Sequence, residues 1–599
     1  MMIKRTVLGL VLLLSISMTS KSQVKIGFEV SFKEPQAHYA EVEMNVSGIA
    51  AKNYIDLKMP TWTPGSYLIR EFSKSVESFG AKAGGKDLKF EKISKNTWRV
   101  HNVKANAVKV NYRVYAFEIS VRTPFIDKAH AFLSPTGIFM YPDGMIKTPS
   151  TVKIIPFSTW SKVSTGLEPV KGEKFTYTAS DFDILFDSPI EVGNQDVFEF
   201  DAAGVKHEVA MYGGGNYDKE RLKVDMAKIV EEGTKIYGEN PNKHYTFIVH
   251  NYERGGGGLE HLNSTTLGAS RNGYGTERGY KSFLSLVAHE YYHLWNVKRL
   301  RPKALGPFDY ENENYTTNLW VAEGFTSYYG NKLMIRAGHV DLNGFINPLL
   351  GSVGTVLNMP GSKIQSVASS SFDAWIIGYR PNENSNNNSI SYYTKGEAVG
   401  MLMDLEIINA TKGAKSLDDV MKAMYDLYYK NLKRGYTDAE FKAMVEKVSG
   451  ISFAGFWDKY INGTDDIDYA KYLAMAGFNV VNENANRDVP FLGVTTTRKD
   501  NKVVIATVLR NSGAWIDGIN VNDELVSIDG APAELAVERM AQITGKKVGD
   551  VVKVVVVRDG LKKELDVKLT ANKAVRLSYS EVQNPTPMQL TVRKKWTGL

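Results

Sequence analysis

His289, Glu290 and His293 stand in the order His-Glu-x-x-His inside the stretch Ser285 to Trp295. On a helix the two imidazoles lie one turn apart on one face and can reach a single zinc ion, with Glu290 beside a water on it. With ten histidines in the chain, chance supplies about 0.01 such patterns over a sequence of this length. The simpler reading is an amphipathic helix with packed histidines, and a third ligand separates the two. Glu323, within Trp320-Val-Ala-Glu-Gly-Phe-Thr-Ser-Tyr-Tyr329, is such a ligand. A lone glutamate is more often solvated or ion-paired, but one buried among these neighbours needs a cation. The set predicts one Zn2+ per chain on His289, His293 and Glu323, with Glu290 as general base. Cysteine is absent, which excludes thiolate ligands, thiol catalysis and disulfides.

These residues need rigid elements beneath them. Phe283, Leu286, Val287, Leu294 and Val297 recur at helical spacing, and no Gly or Pro falls between Tyr280 and Arg301. The spacing predicts one helix running to Arg301, with Pro302 as its stop. A second helix over Thr317 to Tyr329 carries Glu323. Between His293 and Glu323 lie 29 residues. The part from Leu300 to Asn314 reads as a loop that leaves both helices intact, and Glu311 and Glu313 within it are the alternative ligands. Helical patterns continue over 341–357, 395–411, 417–429, 438–448 and 453–461, around an asparagine-rich loop at 380–391.

Upstream, residues 24 to about 200 alternate apolar and polar over short stretches such as Tyr39 to Val46 and Ala107 to Tyr115, with turn residues between them. That is the pattern of an all-β sandwich or open sheet. Its segment Pro60 to Phe72, with Trp62, Pro64, Gly65 and Tyr67, reads first as a rigid turn packed with aromatics, and second as a loop reaching a catalytic cleft. His244 to His250 alternates like a strand, and Arg254 and four glycines, 255–258, follow it. Such a run lets backbone approach a ligand, although a flexible loop is the commoner explanation.

The chain has 599 residues, too many for one hydrophobic core, so three or four domains are expected. Net charge is +7. Without Lys4, Arg5 and Lys21 it is about +4, too weak and dispersed to argue for nucleic acid. Lys4-Arg5, an apolar run from Val7 to Ile16, and small residues at Ser20 and Ser22 form a signal-peptide pattern with cleavage near Ser22–Gln23. That run is short for an anchor, and no other long apolar run exists. The expectation is a periplasmic or secreted protein with no membrane span in the mature chain. The composition divides the chain into a leader (1–22), a β domain (23–203), a catalytic domain (204–481), a compact unit (488–571) and a tail (572–599).

Several stretches together resemble the glycyl aminopeptidases, gluzincin metallopeptidases with a C-terminal PDZ domain. They are His289-Glu-x-x-His293-x-Trp295-Asn-x-Lys298-Arg299-x-Arg301-Pro302, the Glu260 segment, Trp320-x-x-Glu323-Gly-Phe-Thr-x-Tyr-Tyr and Tyr392-Tyr393-Thr-Lys395-Gly396. The resemblance covers the mature chain and implies an N-terminal all-β domain, a thermolysin-like α+β catalytic domain that is mostly helical in its C-terminal part, and the PDZ domain. It also implies removal of small N-terminal residues, Gly or Ala, from peptides with a free N-terminus. By the same likeness Tyr393 would steady the oxyanion and Glu260 would pair with the substrate ammonium. Gly258 would let the substrate backbone align, and His261 would stand beside it in the binding strand. Lys298, Arg299 and Arg301 either suit a helix C-terminus or form a cationic wall that meets a peptide carboxylate or positions Glu323. Leu492, Gly493 and Val494 match a PDZ carboxylate loop, whose partners would be peptide C-termini. Two other functions remain open to the sequence: a PDZ-assisted endopeptidase or dipeptidase, and a non-catalytic peptide-binding scaffold.

Overall fold

A computed structural model describes residues 24–101, 103–534, 543 and 545–599. The expected leader lies outside the described residues, as do residues 535–542, most of a helix that the sequence also predicts near Ala533 to Ile543. Three hydrophobic cores account for the fold. One fills the N-terminal β domain, one the catalytic domain and one the PDZ unit.

The N-terminal domain is all-β. An eight-stranded sheet and two four-stranded sheets enclose its core. Tyr39–Ser47 pairs antiparallel with Ala107–Tyr115, with Val42, Met44, Val110 and Tyr112 alternating inward. The domain ends earlier than composition indicates. Asp196–Ala202 forms a hairpin with Val205–Tyr212 and joins the next domain's sheet, so the boundary falls near residue 195 rather than 203. Both strands alternate in and out, so composition alone shows no break between them.

The catalytic domain opens with a five-stranded sheet in which Val205–Tyr212, His244–Tyr252 and Ser264–Ser270 run parallel. Gly258–Glu260 is its edge strand, paired on one side only with Ser264–Ser270. The glycine run therefore leads into a sheet edge. Helices follow, three of which build the site: the histidine helix Glu277–Tyr292, the glutamate helix Phe325–Arg336 and the tyrosine helix Tyr392–Ala410. The last two touch at Gly324 and Gly396, where a side chain on either would meet the other's backbone.

The histidine helix departs from its expected length. It stops at Tyr292 with His293 as its cap, and Val297 has a φ of 102°. Tertiary contacts override the helical pattern here. The Asn296 amide donates to Val321 O (2.8 Å) and Ala322 O (3.3 Å) on the neighbouring segment, which a continuing helix could not reach.

The Leu300–Asn314 insert is a strap across the domain junction. Trp62 of the N-terminal domain donates its indole N–H to Asp309 O at 2.8 Å, and Thr61 N donates to Tyr310 O at 2.9 Å. Trp62 and Tyr67 belong to the catalytic core, while Tyr310 belongs to the N-terminal core. The two domains are thus cross-bolted by aromatics.

The PDZ unit is not a pendant. Phe478–Asn482, before it, pairs with Leu577–Glu581, after it. The tail then forms a helix, Pro587–Thr597, that returns to the catalytic core through buried Trp596. The asparagine-rich loop includes a helical turn, Ser385–Asn388. Asn387 clasps the PDZ backbone, donating to Val508 O and accepting from Arg510 N, both at 2.8 Å. No helix among the described residues is long and apolar enough to cross a membrane.

Candidate active site

The histidine and glutamate helices bring His289, His293 and Glu323 together. His289 Nε2 and His293 Nε2 are 3.2 Å apart, and Glu323 Oε2 lies 3.7 Å from the first and 3.3 Å from the second. A tetrahedral metal with bonds near 2.0–2.1 Å sets its ligand atoms about 3.3–3.4 Å apart, so these spacings fit a divalent ion with nitrogen and oxygen ligands. Asn296 O, 3.0 Å from His293 Nδ1, takes that N–H and turns Nε2 toward the shared centre. Glu323 sits in a π-helical turn, Trp320–Gly324, just before the glutamate helix. Such wide turns recur at functional sites.

The electrostatics also call for a cation. Glu323, Glu290 and Glu260 are all buried, and Glu323 Oε1 and Glu290 Oε2 have no hydrogen-bond partner. Burial by itself would lower His293, but facing Glu323, Glu260 and Glu290 outweighs it and raises the imidazole to about 10. Burial lowers His289. Glu323 would be raised by burial, yet His293 and His289 hold it below the usual carboxylate range. Burial, reinforced by Glu260 and Glu323, raises Glu290 to about 8. A divalent charge held by these side chains would draw Glu290 back toward its ionised form.

Glu290 lies under the edge strand. A Cβ on Gly258 would come within 2.3 Å of Glu290 Oε1, so only glycine lets the strand cross the base. Glu260, two residues on, faces the same cleft, and the Glu260, Glu290 and His293 ligand atoms lie within 4.8 Å of one another. Tyr393 enters from the tyrosine helix, its ring 6.5 Å from that of His289, and burial pushes its hydroxyl well up. The cleft holds about 460 Å³ between these walls, room for a short peptide segment.

Family models match the chain in three parts. They are the peptidase M61 N-terminal domain over residues 27–194, M61 glycyl aminopeptidase over 282–399, and a PDZ domain over 490–569. This order of matches fits an M61 glycyl aminopeptidase with a PDZ domain. The crystal structure of an aminopeptidase N family protein from Idiomarina loihiensis is 29% identical, with a TM-score of 0.87 over 94% of this chain and 99% of that one. Two looser likenesses are an M1 zinc metallopeptidase from Deinococcus radiodurans bound to a Tyr-Ser-Ala substrate and Legionella pneumophila aminopeptidase A in complex with aspartic acid. The first is 13% identical with a TM-score of 0.45, covering 74% of this chain and 94% of that one. The second is also 13% identical with a TM-score of 0.44, covering 94% and 57%. No functionally curated protein sequence matches.

Some expected roles move. His261 is not in the cleft. Strand alternation turns it away from Glu260 toward Asp187, whose Oδ1 lies 3.1 Å from its Nδ1. Lys298 joins the same carboxylate at 2.7 Å, and Arg299 donates to Leu262 O and Leu294 O. Arg301 stacks over Phe308. These cations brace loops and a helix end rather than forming a wall for substrate, and Asn296 rather than an arginine holds the segment that carries Glu323. Glu311 pairs with Lys58 of the N-terminal domain at 2.7 Å, and neither it nor Glu313 joins the ligand cluster.

The Pro60–Phe72 loop combines its two readings. Its aromatics are packed, and Gly65 lines the cleft against Glu260. Arg122 reaches the cleft from the N-terminal domain and donates to Gly258 O at 3.2 Å. Tyr379, whose hydroxyl donates to Gly65 O at 3.4 Å, closes the same corner. No spacing in the sequence marks Arg122 or Tyr379. In the PDZ unit, Leu492 and Val494 are buried in its core and Gly493 has a φ of 92°.

Proposed function

We propose that the protein is a zinc-dependent aminopeptidase that removes small N-terminal residues, Gly or Ala, from peptides. The observation that carries this reading is the meeting of His289, His293 and Glu323 at metal-ligand spacing beside Glu290, in a chain of a peptidase family. One zinc ion held by those three side chains would supply Lewis acidity toward the scissile carbonyl and toward water. Glu290 takes a proton from the attacking water and delivers it to the departing amine. Tyr393 donates its hydroxyl proton in a hydrogen bond to the oxygen on which charge develops, from a dry site where such a bond counts for most. Glu260 pairs with the substrate ammonium. The edge strand Gly258–Glu260, held by Arg122 through the Gly258 carbonyl, backs the substrate main chain.

The leader pattern at Lys4 to Ser22 supports export to the periplasm or beyond. The PDZ unit takes peptide C-termini at Leu492–Val494, a reading supported by Val494–Lys499 lying at a sheet edge, open to strand addition.

The test is a panel of free and N-acetylated di- and tripeptides, assayed with wild type and Glu290→Gln, with zinc measured in both. Wild type should cleave only free amino termini. The variant should lose about 100- to 10,000-fold in kcat while keeping its zinc. Equal cleavage of acetylated peptides would sink the aminopeptidase reading.

A further inference from the structure

Glu397 is a buried acid on the cleft wall that the reaction above does not use. Its Oε1 accepts from Asn331 Nδ2 at 2.6 Å and its Oε2 from Ser352 Oγ. Both donors are neutral. Among the described residues the other buried acids outside the metal cluster each have a basic side chain against them: Glu191 has His130 and His250, Asp404 has Lys332, and Asp523 has Arg558. Among the described residues Glu397 has no basic partner within 4.0 Å. A buried carboxylate without a cation is costly, and one that borders a cleft can acquire its cation from a ligand.

Its position says which part of the ligand. The cleft has two ends with the ligand cluster between them. Gly65, Gly258 and Glu260 form one end. The other is reached by stepping away from the cluster along all three helices at once. Ser285 lies one turn before His289, Ser327 one turn after Glu323, and Glu397 one turn after Tyr393. With the ammonium held at Glu260, as proposed above, the departing half of the peptide occupies this second end.

We propose that Glu397 makes the enzyme selective for a cationic side chain, lysine above all, on the residue that follows the scissile bond. One turn is about 5 Å, the reach of a lysine's four-carbon stem. Ser285, Ser327 and Gly330 leave room for that stem, Leu286 gives its methylenes an apolar flank, and the ammonium meets Glu397. Burial raises Glu397 to about 7. An arriving ammonium favours the ionised form and expels any proton it still holds.

The test compares kcat/KM for Gly-Lys-Ala, Gly-norleucine-Ala and Gly-Glu-Ala, since norleucine keeps the stem and drops the charge. Wild type should favour lysine over norleucine by about 10- to 100-fold and handle glutamate worst. In Glu397→Gln, which can keep both hydrogen bonds, the lysine-to-norleucine ratio should fall toward one. Equal wild-type rates on lysine and norleucine overturn the proposal without touching the aminopeptidase reading, and this arm needs no variant to fold. A variant that slows both peptides alike at an unchanged ratio also overturns it. Failure of wild type on every free peptide removes the aminopeptidase reading and this assignment together.

Discussion

His293 Nε2 stands 3.3 Å from Glu323 Oε2, wider than the 2.7 and 2.9 Å at which His130 and His250 hold Glu191. Both are buried His-Glu-His groups, and they differ in what fills them. The first spacing is that of ligands around an ion, and the second is that of direct hydrogen bonds joining the N-terminal domain to the catalytic sheet. Glu323→Gln should therefore reduce bound zinc to about a tenth of wild type or less. Glu191→Gln should leave zinc at the wild-type level and lower stability instead. Metal analysis of both purified variants after dialysis checks this, and zinc loss in the Glu191 variant would contradict it.

Asn296 should matter for metal affinity without touching metal. Its amide donates to Val321 O, Ala322 O and Thr326 Oγ1, tying the histidine turn to the segment that presents Glu323. Asn296→Ala should weaken zinc binding about 10- to 100-fold, as loss of a ligand-orienting partner does. Competition with a chelator of known affinity measures it, and unchanged affinity would mean that the turn holds without the amide.

His207 gives stability a pH dependence. Burial lowers its imidazole to about 4, and its Nε2 lies 2.9 Å from the Tyr291 hydroxyl. The unfolded chain binds this proton near pH 6.5, and the folded chain does so only near pH 4. Stability is complete above about pH 6.5 and falls as pH drops through that window, by about 3 kcal/mol in all. Unfolding midpoints at pH 7.5 and 5.0 should differ by less in His207→Gln than in wild type. Equal differences would assign the effect to other groups.

Trp596 anchors the returning tail. Its indole N–H donates to the Tyr328 hydroxyl at 2.8 Å, and that hydroxyl donates in turn to Asp404, the partner of buried Lys332. Trp596→Ala should cost the catalytic domain about 3–5 kcal/mol, and Trp596→Phe, which keeps most of the packing, about 1 kcal/mol. Thermal unfolding of the whole chain reads both. A neutral alanine variant would show that the tail helix is merely laid on the surface.

The local order along the chain carries much of this protein. His289 and His293 face one way because four residues make about one turn, and Glu290 follows from the same register. The strand Ala107–Tyr115 appears where alternation places it, because period-two patterning is a property of the strand itself. Tertiary structure alone decided what distant segments do to one another. It ended the histidine helix at Tyr292 through Asn296, although the apolar pattern runs on, and it turned His261 from the cleft toward Asp187. It also brought Gly65 and Arg122 from the first domain to a site built by the second, and left Glu397, among the described residues, without the basic partner that the other buried acids outside the cluster have. Periodicity records what each segment buries, but not what it is buried against, and the charge state and role of a buried polar group depend on that partner.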